Sequence, residues 1–134
     1  MMQLCIKVVF VTSLCLSSSF AFAYSKAKFI SYSQAKAKWG ETILKSGIFK
    51  SGDLSQRAPM AVNILKTDLF LGKEMKNVKK VLGAPDSYFF SDTIYAYKIL
   101  PFPGRNKTNW HLVFIPDKSL TMVKAVKIHK KCCY

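Results

Sequence analysis

The chain holds 134 residues, half of them hydrophobic, and carries a formal net charge of +14 from 21 basic against 7 acidic side chains. That apolar content excludes a chain disordered by composition, and the length suits one domain. All but two of the basic residues are lysines, which lack the planar fork that reads base edges, so no nucleic-acid partner is expected.

Residues 1–23 read as a secretory signal peptide: Lys7 and the amino terminus supply positive charge, residues 8–16 an apolar stretch, and residues 17–23 a small-residue tail ending Ala21-Phe22-Ala23. Cleavage is predicted before Tyr24, giving a periplasmic or secreted protein. The stretch is too short to span a bilayer, and no later apolar run of about 18 residues follows. Cys5 and Cys15 leave with the leader, so the mature chain keeps Cys132 and Cys133 alone. Being adjacent, these two redox candidates can close only a strained ring or bond to a second chain, which makes a disulfide-linked homodimer an expected state in an oxidising compartment. Lys130 and Lys131 beside them favour thiolate.

Residues 24–52 form a basic N-terminal arm with an amphipathic helix. Lys26, Lys28, Lys36 and Lys38 alternate with alanine and aromatic residues, a pattern that suits an anionic lipid or lipopolysaccharide surface or simply keeps the segment solvated. The spacing of Tyr32, Ala35, Trp39 and Ile43 predicts a helix over 31–45 despite Gly40. The repeated Lys-Ser-Gly phrases at 45–47 and 50–52, flanking Ile48-Phe49, read as a linker with an apolar anchor; the glycine-lysine-hydroxyl order of a phosphate loop is missing.

The main domain is expected at 53–134. Asp53 or Ser55 caps a helix running to Lys66, with Pro59 in its first turn and Met60, Ala61, Ile64 and Leu65 on its apolar face. A second helix places Met75, Val78, Val81 and Leu82 on one stripe and Lys76, Lys79 and Lys80 outward, with Gly83 and Pro85 as its stop. The remainder reads as strand: residues 87–91, a turn at Ser91-Asp92-Thr93, then 94–100 with Tyr95, Tyr97 and Ile99 sharing a face. After a polar loop to Asn109, Trp110, Leu112 and Phe114 alternate, Pro116-Asp117 turns, and 120–129 alternates again. Helices followed by a meander give an α+β fold, two-layered, with the N-terminal helices on one face of an antiparallel sheet.

The run from Gly72 to Pro85, with Gly72, Val78, Leu82, Gly83 and Pro85 spaced as a fold motif and the strands around Tyr95–Tyr97 and Leu112-Val113-Phe114 after it, resembles the SmpA/OmlA family of small envelope proteins. The resemblance implies a fold like that of β-lactamase inhibitor protein, binding to an envelope protein partner in outer-membrane assembly or maintenance, and no catalysis. Two features differ. No lipid-modified cysteine stands at residue 24, and Lys73-Glu74 occupies the usual hydroxyl position at the helix start.

Binding candidates are the aromatic residues Tyr88, Tyr95, Tyr97, Phe102 and Trp110, with Phe90 beside them, part of this set being required for the core. No nucleophile elbow and no paired-histidine metalloprotease helix occurs, and neither enzyme activity nor a cofactor is expected. His129, Cys132 and Cys133 fall short of a metal site: a fourth ligand is missing, adjacent thiols chelate poorly, and nothing in the sequence brings His111 near. His111 reads as an edge or core histidine. Asp86, Asp92 and Asp117 read as turn residues, and Asn106-Lys107-Thr108 fits a glycosylation acceptor.

Overall fold

The computed structural model describes residues 28–51, 53–100 and 110–130. The elements in order are β1 (Lys28–Ile30), α1 (Tyr32–Trp39), α2 (Ser46–Ser51), α3 (Leu54–Thr67), α4 (Met75–Leu82), β2 (Ser87–Phe89), β3 (Ser91–Leu100), β4 (Trp110–Pro116) and β5 (Val123–Lys130). The strands form one antiparallel sheet in the order β1-β5-β4-β3-β2, with the helices on one face, as expected of an α+β two-layer fold. No described helix is long and apolar enough to cross a membrane.

Local chemistry explains the helix ends. Ser31 caps α1 through a reciprocal box with Gln34, and Gly40, at φ 73 and ψ −166, stops it well short of residue 45. That backbone region is nearly closed to residues with a Cβ. Asp53 caps α3 by accepting the Ser55 N–H at 2.9 Å. Pro59 lies beyond the first turn; its carbonyl is used outside the helix, accepting the Thr42 N–H at 3.1 Å. No side chain caps α4. Instead the Met75 N–H donates to the Thr121 carbonyl at 2.7 Å and Glu74 bridges to Met122, so the β4–β5 connection satisfies the start of this helix. Gly83, at φ 86, ends it.

Between helices and sheet lies the main core, which includes Phe49, Met60, Ile64, Val78, Leu82, Tyr97, Leu112, Phe114 and Ile128. Phe70 and Tyr97 meet Phe114 edge-on at 5.4 and 5.8 Å. Val78 and Leu82 seat α4 as the periodicity predicts.

Other expectations change as well. The segment expected as an arm is built into the domain: β1 pairs with β5 through Lys28↔Lys130, Phe29↔His129 and Ile30↔Ile128, so a strand precedes the helices. The expected linker is helix α2, because Phe49 inserts fully into the core and the Ser46 hydroxyl donates to the Val81 carbonyl. The reversal expected at Ser91-Asp92-Thr93 occurs one step earlier, where Phe89 pairs with Ser91 and Phe90 takes φ 61. Residues 1–23, expected as a signal peptide, Lys26, Phe102 and the rest of residues 101–109, Cys132 and Cys133 lie outside the described residues.

Arg57 ties the layers together. It is buried on α3, yet its Nε donates to the Phe49 carbonyl and its Nη1 to Asp86, each at 2.6 Å, with further bonds to the Lys98 carbonyl at 3.2 Å and the Lys50 carbonyl at 3.4 Å. One guanidinium therefore holds α2, α3, β3 and the approach to β2. Asp86 is its counter-ion and not merely a turn residue.

Candidate functional site

Side-chain alternation gives the sheet a second face, away from the helices. One row across four strands there reads Phe29, His129, His111 and Lys98, and the next reads Lys127, Val113, Ala96 and Ser87. In a flat sheet this face would be open to water. Instead Phe89, Ala96 and Val113 form a second buried cluster with Phe29, Ile94 and Ile115 against it.

Sheet curvature accounts for this burial. Phe29 and Phe89 sit on opposite edge strands, yet their rings lie 6.1 Å apart, so the sheet coils and the β2–β3 hairpin tip closes over the face. Register shifts at Tyr88/Phe89, Lys98/Leu100 and Ile115/Pro116 supply the bends, as bulges increase local twist.

Beneath that roof are two histidines. His111 and His129 are direct cross-strand partners on β4 and β5, with 1% and 4% of their surface exposed. His129 meets Phe29 edge-on at 5.2 Å and Phe89 at 4.8 Å. Among the described residues neither of its ring nitrogens has a hydrogen-bond partner, and neither has His111 Nδ1. Burial pushes His111 down to about 4, with the positive charges of Lys98 and of a protonated His129 adding to the effect and Asp86 opposing it; burial lowers His129 as well. Burial therefore disfavours protonation of both imidazoles. The hairpin symmetry of 111 and 129 about Leu120 was the available sequence signal for this pairing; placing the turn at Pro116-Asp117 obscured it.

The aromatic candidates separate by face. Tyr97 is core, its hydroxyl donating to the Gly83 carbonyl at 2.8 Å. Tyr95 packs at the edge of the main core under the Lys79 ammonium, 4.6 Å from its ring. Trp110 is 9% exposed, meets Trp39 edge-on at 5.1 Å, and lies within 6 Å of the Lys38 and Lys130 ammonium groups. These three therefore serve the fold first. Tyr88 is 46% exposed, and Phe90 stands out at 79%, resting on Phe89 with ring centroids 4.4 Å apart. Of the basic candidates, Lys36 and Lys38 are exposed on α1, Lys36 lying 3.5 Å from Glu41, and Lys28 is in β1. The structure divides the candidates: Tyr88 and Phe90 mark the β2–β3 tip, Lys38 lies over the Trp110 ring at the Trp39–Trp110 edge, and Lys36 lies over Tyr32.

The fold-motif residues keep structural roles. The Gly72 N–H donates to the Val123 carbonyl at 2.9 Å, and a Cβ on Gly83 would meet Lys50 Cγ at 3.3 Å. No family model, curated protein or solved structure matches the chain.

Proposed function

We propose that this is an exported protein-binding module of the cell envelope that captures a partner protein through the β2–β3 hairpin tip. The observation that carries the reading is Phe90. A bulky aromatic at φ 61 occupies a region that costs L-residues roughly 1–2 kcal/mol, and this one is 79% exposed. Glycine or asparagine would relieve the strain, so the aromatic ring is best explained by something it contacts. The Phe89 ring beneath, itself packed on the second core, gives Phe90 a rigid base, and rigid aromatic anchors dominate interface energetics. The SmpA/OmlA resemblance points the same way, toward a partner in outer-membrane assembly or maintenance, with no catalytic step.

A photo-crosslinking residue at position 90 in intact cells tests this. A specific envelope protein should be captured, and Phe90→Asn, which suits the backbone, should weaken its binding by about 30-fold, equivalent to roughly 2 kcal/mol. Unchanged affinity in a folded Phe90→Asn chain would refute it.

The alternative is a binder of anionic envelope surfaces. It is favoured by Lys38 and Lys130 over the Trp110 ring and Lys36 over Tyr32, where cations flank amphipathic rings. Salt separates the two readings, since lysine-lipid attachment weakens with screening and an apolar protein interface persists.

A further inference from the structure

We infer that His111 and His129 form a cross-strand, two-imidazole binding site for a single copper(I) ion. Directly opposed residues on antiparallel strands hold their Cβ atoms about 5 Å apart with side chains on the same face, so both rings can address one ion between them. Nearly complete burial excludes water from the pair, and among the described residues three of its four ring nitrogens lack a partner, an arrangement that is costly unless something occupies them.

The choice of ion follows from ligand number, charge and surroundings. Among the described residues no group of three or more histidine, cysteine, aspartate or glutamate side chains converges, so a zinc ion would lack the three or four protein ligands it ordinarily takes. Copper(II) needs a tetragonal set of donors for the same reason. Copper(I) has a filled d shell, tolerates two neutral nitrogen ligands, and carries a single charge. That last property matters here, because Lys98 is on the same row as His111 and Lys127 on the next, and both oppose a divalent ion more strongly than a monovalent one. The edge-on rings of Phe29 and Phe89 against His129 exclude water and further ligands that would favour the oxidised ion.

The test uses the full chain with Cys5, Cys15, Cys132 and Cys133 all replaced by serine, so that no thiol competes. Under anaerobic, reducing conditions it is titrated against the copper(I) complex of a chromophoric chelator. The expected result is one copper withdrawn per chain, with X-ray absorption showing two nitrogen neighbours and no sulfur. His111→Gln and His129→Gln should each weaken binding by roughly a hundredfold or more, because a ligand is lost outright and not only an outer-shell partner. Lys127→Ala, on the same face, should retain it. If a glutamine variant fails to fold, the imidazole ¹⁵N resonances of the histidine-intact chain decide, since both rings should shift on adding copper(I). No copper withdrawn by the folded thiol-free chain, unshifted imidazoles, or equal affinity in folded glutamine variants would overturn the assignment.

Discussion

Replacing Asp86 by alanine should be among the most damaging changes outside the apolar core, because it leaves the Arg57 charge buried without its counter-ion. The Arg57 side chain is 8% exposed and donates to Asp86 at 2.6 Å, while Asp86 also accepts the Lys98 N–H at 3.2 Å. Removing one member of a fully buried pair costs about 3–5 kcal/mol. Here the Asp86 side chain is 33% exposed, so water can reach the vacated space, and three backbone carbonyls still receive the guanidinium. The expected loss is therefore about 2–3 kcal/mol. Arg57→Lys should cost a similar amount: it keeps the charge, but a single ammonium cannot reproduce a planar fork directed at Phe49, Lys50, Asp86 and Lys98. Asp86→Asn, which keeps an acceptor, should cost less than Asp86→Ala. Urea unfolding followed by tryptophan fluorescence reads these differences, since Trp39 and Trp110 pack together across the α1–β4 boundary. A change below about 0.5 kcal/mol for Asp86→Ala, with an unchanged denaturant slope, would show that the pair does not hold the layers together as described.

Leu82→Asp places a carboxylate in the main core and should cost about 3 kcal/mol or more, whereas Lys80→Asp on the exposed side of α4 should change stability little; equal effects would mean that α4 is not docked through Leu82. In the metal-free chain, acidification should destabilise the fold. The His111 value lies near 4 when folded against about 6.5 when unfolded, so its contribution is complete above the unfolded value and falls as pH drops, by about 2 kcal/mol at pH 5. His111→Phe should flatten that slope in urea titrations at several pH values, and an unaltered slope would refute the attribution. N-terminal sequencing and intact mass of envelope material should give a chain starting at Tyr24, and recovery of a Met1 chain from the cytosol would refute export. Cys132→Ser with Cys133→Ser should abolish any reducible dimer while leaving the unfolding midpoint unchanged; persistence of the dimer would place the bond elsewhere.

Elements whose signal is local were legible in the sequence. Val78 and Leu82 recur at helical spacing, Gly83 and Pro85 deny continuation to the chain, and Trp110, Leu112 and Phe114 alternate, so α4, β4 and the two-layer α+β class follow from short-range sterics and periodicity. Features that need distant partners were not. Lys28–Ile30 become a strand because β5 offers an edge, and α2 forms around Phe49 because the core has a place for that ring. Tyr97 and Trp110 look like binding aromatics until their neighbours bury them, whereas Phe90 is left exposed by a reversal that turns Phe89 inward. Composition and spacing could supply the lone charge of Arg57 and two separated histidines. Pairing register and sheet coiling joined Arg57 to Asp86 and His111 to His129, because a one-residue slip or a flatter sheet would give the same sequence different neighbours.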